Sequence, residues 1–151
     1  MNGSFYARKE VSYCPTLYNN NPLGYPKKLE VFKGMTDIQV KLEQYLIGEW
    51  RNAYAIERWI KENCDEENQG EYTLYKEHII ELRNRCMGIL TNPDTAPVTL
   101  PTFLDGAGEY NKWYFEHLRY TVNLMNAALK MLEGVADSEI DDWRFIYMQD
   151  V

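Results

Sequence analysis

The run DWRFIYMQDV (142–151) decides how we expect this sequence to fold. Aromatic and β-branched residues alternate with polar residues along it, which is typical of a strand with one buried face. A second aromatic run, SFYARKEVSYC (4–14), shows partial alternation of the same kind. Because an isolated two-stranded sheet is only marginally stable, we expect the C-terminal strand to complete a sheet with N-terminal strands.

Between these runs the sequence predicts one further strand and three helices. The strand is LEVFK (29–33), which follows the turn residues 19–24. The first helix is predicted to begin after Thr36 or Asp37 and to end near Asn63, because apolar residues recur along it at helical spacing. These apolar residues are Ile38, Leu42, Tyr45, Leu46, Ala53, Ile56 and Ile60.

The second half of the chain contains two more helical patterns. The polar stretch CDEENQGEY (64–72) predicts a loop, after which Thr73 is expected to cap a helix that ends near Thr91. A third helix is expected from about Glu109 to Glu133, with Gly134 as its stop. The complete prediction is an α+β fold in the order β-β-α-α-α-β. Three helices pack on a small, mostly antiparallel sheet, in one domain that spans residues 1–151.

Charge and cysteine content narrow the classes of partner and cofactor. Sixteen basic and 23 acidic residues give a formal charge of −7, which disfavours nucleic acid and anionic membranes as partners. No stretch approaches the roughly 20 apolar residues that span a bilayer, so a soluble, cytoplasmic protein is expected. Cys14, Cys64 and Cys86 show no C-x-x-C spacing and are interpreted as reduced thiols. We therefore expect no metal and no cofactor.

Three segments resemble an uncharacterised family of small proteins encoded by tailed bacteriophages and prophages. The segments are WRNAYAIERWI (50–60), GEYTLYKEHIIEL (70–82) and LPTFLDGAGEYNKWYFEHLRYTVNLMNAAL (100–129). The matching positions are Trp50, Arg51, Ala53, Ile56, Trp59, Glu71, Tyr72, Leu100, Pro101, Thr102, Tyr110, Trp113 and Tyr114. Tyr54 and Glu57 stand where the family has Asn and His. The resemblance implies a phage origin and a host-cell cytosolic location, but no particular activity.

A ligand site is predicted where aromatic residues lie near arginine or glycine. Arg51 follows Trp50 in the predicted first helix, on which Trp50 and Trp59 would lie on opposite sides. The loop 92–109 is the predicted pocket, because Gly106 and Gly108 would admit an anion at a helix N-terminus. The candidate ligand-binding residues are Trp50, Arg51, Tyr110, Trp113 and Tyr114. Core packing and a simple capping turn are the alternative interpretations of these features.

Catalytic and acidic features give the remaining hypotheses. His78 and His117 are the only histidines, and neither is part of a Glu-x-x-His motif. The segment 62–81 carries a net charge of −6 from seven acidic residues and Lys76, which would suit a basic partner.

The leading hypothesis is a non-enzymatic phage accessory protein, acting in counter-defence, that sequesters a nucleotide-like small ligand. The alternatives are an acidic protein that inhibits a host protein, and a small hydrolase that uses histidine and a carboxylate. Homodimerisation is also compatible with the aromatic content.

Overall fold

A computed structural model describes residues 2–13, 39–102 and 110–149 of the chain. The strands are β1 (Asn2–Tyr13), β2 (Gln39–Arg51), β3 (Asp65–Asn68), β4 (Glu71–Leu74) and β5 (Trp143–Gln149). The α-helices are α1 (Tyr54–Asn63), α2 (Lys76–Thr91), the single-turn α3 (Ala96–Thr99) and α4 (Lys112–Glu133). Short 3-10 turns precede α3 and β5. The predicted α+β class is confirmed, with a larger sheet and one more short helix than the sequence indicated.

The five strands form one antiparallel sheet in the order β2-β1-β5-β4-β3. The expected pairing of the C-terminal strand with the N-terminal strand is confirmed, since β5 lies between β1 and β4. Phe5 is opposite Tyr147, and Ala7 is opposite Phe145. These residues are buried in one cluster with the inner faces of α1, α2 and α4, so the helices cover one face of the sheet.

The prediction of a helix from residue 36 or 37 to residue 63 is wrong in its first part. Residues 39–51 form β2, which pairs with β1 along its whole length, and only Tyr54–Asn63 is helical. Asn52, at a φ of 55°, marks the break between strand and helix. Apolar residues in this stretch fit a helical period locally, but pairing with β1 and burial of Trp50 favour the strand. The predicted strand 29–33 lies outside the described residues.

The prediction of a loop at residues 64–72 is also wrong, because this acidic stretch forms most of a hairpin. β3 and β4 pair through a turn at Gly70, whose φ of 78° suits glycine. Thr73 belongs to β4 rather than capping a helix. Tyr75 is the N-cap of α2, and the backbone N–H of Tyr75 donates a hydrogen bond to the Nδ1 atom of His78 at 3.1 Å. β3 has the sequence DEEN, which has low β-propensity, and it forms a strand because it pairs with β4, which β5 holds in the sheet.

The helices α2 and α4 largely follow the sequence prediction. α2 ends at Thr91, and α4 ends at Glu133 with Gly134 as its C-cap. α4 begins at Lys112, since the side chain of Asn111 accepts hydrogen bonds from the backbone N–H groups of residues 113 and 114. The earlier start predicted at Glu109 lies outside the described residues.

Candidate functional site

Trp50 is a core residue at the end of β2. Its side chain is 1% exposed and its Nε1 atom donates a hydrogen bond to Thr121 Oγ1 at 3.0 Å. Its ring lies 5.7 Å from that of Phe5 and 5.9 Å from that of Tyr147. The prediction that Trp50 and Trp59 share one helix is wrong, because only Trp59 is on α1, where it is also buried.

Tyr110 and Tyr114 join the start of α4 to the segment before it. The Tyr114 hydroxyl donates a hydrogen bond to the Leu100 carbonyl at 2.7 Å, and burial raises the pKa of Tyr114. The Tyr110 hydroxyl accepts a hydrogen bond from the Thr102 backbone N–H at 3.3 Å. The two tyrosine rings meet edge to face at 5.0 Å. Within the predicted pocket loop 92–109, residues 93–99 instead form a 3-10 turn and the short helix α3, and residues 103–109, including Gly106 and Gly108, lie outside the described residues.

Arg51 and Trp113 are the two predicted site residues whose side chains are exposed. Arg51 is the last residue of β2, and Trp113 is in the first turn of α4 with 60% of its surface exposed. The Lys112 ammonium lies 5.1 Å from the centre of the Trp113 ring. Both residues are therefore accessible to a ligand.

An open groove of about 500 Å³ lies between the end of β2 and α4. Arg51 and Glu49 line it from the strand, and His117 and Tyr120 line it from the helix. The Tyr120 hydroxyl accepts a hydrogen bond from the Glu49 backbone N–H at 3.1 Å, which fixes the tyrosine against the edge of the sheet. The groove is thus bordered by one cation, one carboxylate, one imidazole and one phenol.

Gly48 allows α4 to approach β2 this closely. A Cβ atom at this position would lie 2.4 Å from Leu124 Cδ2 and 2.7 Å from the Tyr120 hydroxyl oxygen. These distances are far below van der Waals contact, so a Cβ atom here would force the ends of the Leu124 and Tyr120 side chains to shift. The groove geometry therefore depends on this residue.

Trp113, His117 and Tyr120 follow one another at spacings of four and three along α4. Residues at these spacings lie on one face of a helix, so the three side chains form a ridge on α4. His117 and Tyr120 line the groove, and Trp113 lies one turn before His117, outside the groove lining. The ridge brings Trp113 to the same side of the molecule as Arg51. Sequence reasoning missed Tyr120 as a site residue and considered His117 only as a catalytic group, although their spacing from Trp113 was a usable signal.

His117 is the titratable group of the groove whose surroundings alter its acidity. Burial lowers the pKa of His117, while Glu116 and an interaction with the Arg51 backbone favour the protonated form. Because burial is the largest of these effects, the pKa of His117 is lowered and the neutral imidazole is favoured.

The structure does not bring the two histidines together. Arg83 of α2 bonds to Asn126 of α4, whereas Cys86, further along α2, lies beside Tyr114 near the start of α4. The two helices are therefore antiparallel, which places His78 towards the C-terminal end of α4 and His117 towards its N-terminal half. Each histidine also has its own neighbours, the Tyr75 backbone for His78 and the Arg51 backbone for His117.

The acidic tract lies largely on the β3–β4 hairpin, with β3 at one edge of the sheet. All four side chains of β3 are exposed. Glu67 accepts a hydrogen bond from the Tyr75 hydroxyl at 2.7 Å and pairs with Arg144 at 2.6 Å. Glu71 on β4 pairs with Arg8 at 2.9 Å. The tract is therefore an ordered acidic surface on a strand edge.

In the parts of the chain that the structure describes, no group of three or more His, Cys, Asp and Glu residues is arranged to hold a metal ion. No helix within these ranges is long and apolar enough to cross a bilayer. Cys64 and Cys86 are buried free thiols. Comparisons with protein-family models, curated proteins and solved structures find no match for this chain.

Proposed function

We propose that this protein is a non-enzymatic binding protein that sequesters a nucleotide-like small ligand in the groove between β2 and α4. The observation that carries the proposal is the exposed Arg51 beside the aromatic ridge of α4. The resemblance to phage proteins suggests the setting, an accessory protein that acts in counter-defence by removing a signalling nucleotide from the host cytosol.

The groove offers the two kinds of contact that a nucleotide needs. The Arg51 guanidinium can donate two parallel hydrogen bonds to a phosphate group. The exposed rings of Tyr120 and Trp113 can stack on a base, a contact worth about 1–3 kcal/mol. Because the Tyr120 hydroxyl is held by the Glu49 backbone, its ring loses little freedom when a ligand binds.

The other predicted residues act beneath this surface. Trp50 and Tyr114 are buried and hydrogen-bonded within the protein, so they position the end of β2 and the start of α4. Tyr110 is half-buried and packs on Tyr114. In the proposed site Arg51 and Trp113 contact the ligand, whereas the other three residues support it.

Thermal-shift screening against mono-, di- and cyclic nucleotides tests the proposal. A ligand at 100 times its Kd should add about 2.7 kcal/mol to the stability of the folded protein. Arg51→Ala and Trp113→Ala should each abolish this gain. Arg58→Ala is the matched control, because Arg58 is an exposed arginine that pairs with Glu62 on α1. The absence of stabilisation by every nucleotide, or equal losses in the Arg51 and Arg58 variants, contradicts the proposal.

The acidic β3 edge favours a second candidate, inhibition of a basic host protein. Asp65, Glu66 and Glu67 are consecutive, exposed and on an outer strand, which suits a cationic surface of another protein. In a pull-down from host lysate, reversing the charges with Glu66→Lys and Glu67→Lys should abolish capture of the partner, and Arg51→Ala should leave it unchanged. The opposite pattern would assign the captured protein to the groove and exclude the acidic edge.

A further inference from the structure

We infer that Arg51 and His117 form a two-cation subsite for a sulfate- or phosphate-like dianion, with His117 taking up one proton as the anion binds. This inference rests on the proposed groove and names the part of the ligand that the groove would recognise. It adds His117 to the binding residues and assigns an anionic group, rather than a neutral nucleoside, as the minimum ligand.

The placement of the two residues supports this assignment. Arg51 and His117 line the same open groove from opposite sides, one on β2 and one on α4. His117 also lies against the backbone of Arg51, so the imidazole and the residue that carries the guanidinium are direct neighbours. The hydrogen bond with the Arg51 backbone engages one ring nitrogen of His117, and the second ring nitrogen is the one that would carry the added proton and meet a ligand oxygen.

The charges around His117 explain why a proton is needed. The lining residues contribute one positive charge from Arg51 and one negative charge from Glu49, so the groove is formally neutral while His117 is neutral. Protonation of His117 changes the sum to +1. On α4 itself, Glu116 is the acidic neighbour of His117 and favours the imidazolium. Tyr120 lies one turn further along and its hydroxyl is engaged by the Glu49 backbone.

Burial opposes the imidazolium in the free protein, and a bound anion reverses this balance. An opposite charge within about 4–6 Å commonly raises a histidine pKa by about 1 or more. Because the pKa of His117 is then higher in the complex than in the free protein, binding of the anion takes up a proton. Affinity for the anion therefore rises as the pH falls through the pKa of the complex, and it levels off below the pKa of the free protein.

Sulfate is a suitable probe, because it stays a dianion between pH 5 and 8 and so does not add its own titration. The chain has only two histidines, so NMR can follow each imidazole separately, and His117→Gln assigns the signals. Saturating sulfate should raise the pKa of His117 by about 1 and leave His78, which caps α2, unchanged. Sulfate should bind about fivefold more tightly at pH 5.5 than at pH 7.5, because a pKa rise of about 1 changes the affinity by about tenfold only over the whole titration range.

Two variants separate this subsite from general charge attraction. His117→Gln should remove the pH dependence of sulfate binding, and Arg51→Gln should remove the sulfate effect on the His117 pKa. Arg58→Gln is the control and should change neither. Sulfate that fails to bind at both pH values, or an unmoved His117 pKa at saturation, overturns the inference. Nucleotides that still stabilise the protein through Arg51 would then leave the proposed function standing, whereas loss of both responses would remove both.

Discussion

The indole N–H of Trp50 donates a hydrogen bond to the hydroxyl of Thr121, whose own proton goes to the backbone carbonyl of His117 at 2.7 Å. This relay of two hydrogen bonds connects the end of β2 to α4 at His117, one of the residues that line the groove. Trp50 and Thr121 are both buried, so bulk water cannot reach them to replace a lost hydrogen-bond partner. The relay therefore couples the stability of the fold to the geometry of the groove.

Thr121→Val should destabilise the protein by about 1–3 kcal/mol, because a side chain of the same shape leaves the buried Trp50 N–H without an acceptor. Urea unfolding followed by tryptophan fluorescence measures this change. Thr91→Val is the matched control, since the Thr91 hydroxyl also bonds to a carbonyl four residues earlier but is exposed. The control should change stability by less than about 0.5 kcal/mol. Equal effects in the two variants would show that the Trp50–Thr121 bond contributes nothing.

Gly48→Ala should destabilise the protein by about 1–3 kcal/mol and weaken ligand binding, because the new methyl group overlaps Leu124 and Tyr120. Gly88→Ala is the opposite case. Gly88 lies within α2 and a Cβ there would meet nothing within 4 Å, so this substitution should stabilise by about 0.5–1 kcal/mol. Thermal unfolding of the two variants gives the comparison. A Gly48 variant as stable as the native chain would contradict this prediction and show that the Leu124 and Tyr120 side chains move aside at little cost.

Cys64 and Cys86 should not react with thiol reagents in the folded protein. Burial raises the pKa of each thiol to about 12, and Asp65 and Glu81 contribute further at Cys64. Only about one thiol in ten thousand is then ionised at pH 8, and the thiolate is the reactive form. In a Cys14→Ser background, a chromogenic disulfide should label both thiols in urea but neither in native buffer. Rapid labelling of the native protein would show that these sites open to solvent.

The Arg8–Glu71 pair should make stability depend on acidic pH. Two hydrogen bonds from Arg8, at 2.9 and 3.2 Å, are the main reason that the pKa of Glu71 is lowered. The pair should therefore stabilise above the ordinary glutamate pKa of about 4.3 and lose this contribution as the pH falls through the lowered value.

Glu71→Gln should cost about 1 kcal/mol at pH 7, and the difference from the native chain should shrink below pH 4. Glu62→Gln, which breaks the more exposed pair with Arg58, should cost no more than about 0.5 kcal/mol. Urea unfolding at pH 3, 5 and 7 measures both variants. A Glu71 effect that is the same at all three pH values would rule out the ionic contribution.

The local patterns of the sequence were sufficient for the elements whose periodicity has a single interpretation. Alternation in residues 142–151 predicted β5, and the apolar stripes that end at Thr91 and Gly134 predicted α2 and the end of α4. In each case burial of one face favours the structure that the period indicates. The α+β class followed from the same evidence.

Tertiary structure decided the elements for which local signals were ambiguous or opposed. Residues 39–51 form a strand because they pair with β1, which is distant from them in the sequence. The acidic hairpin formed because β5, far away in the chain, accepts β4 as a neighbour. The groove has the same origin, since Arg51 meets His117 and Tyr120 only when α4 packs over Gly48. Residues more than 60 positions apart are brought together by backbone pairing and close packing, and no local period encodes either interaction.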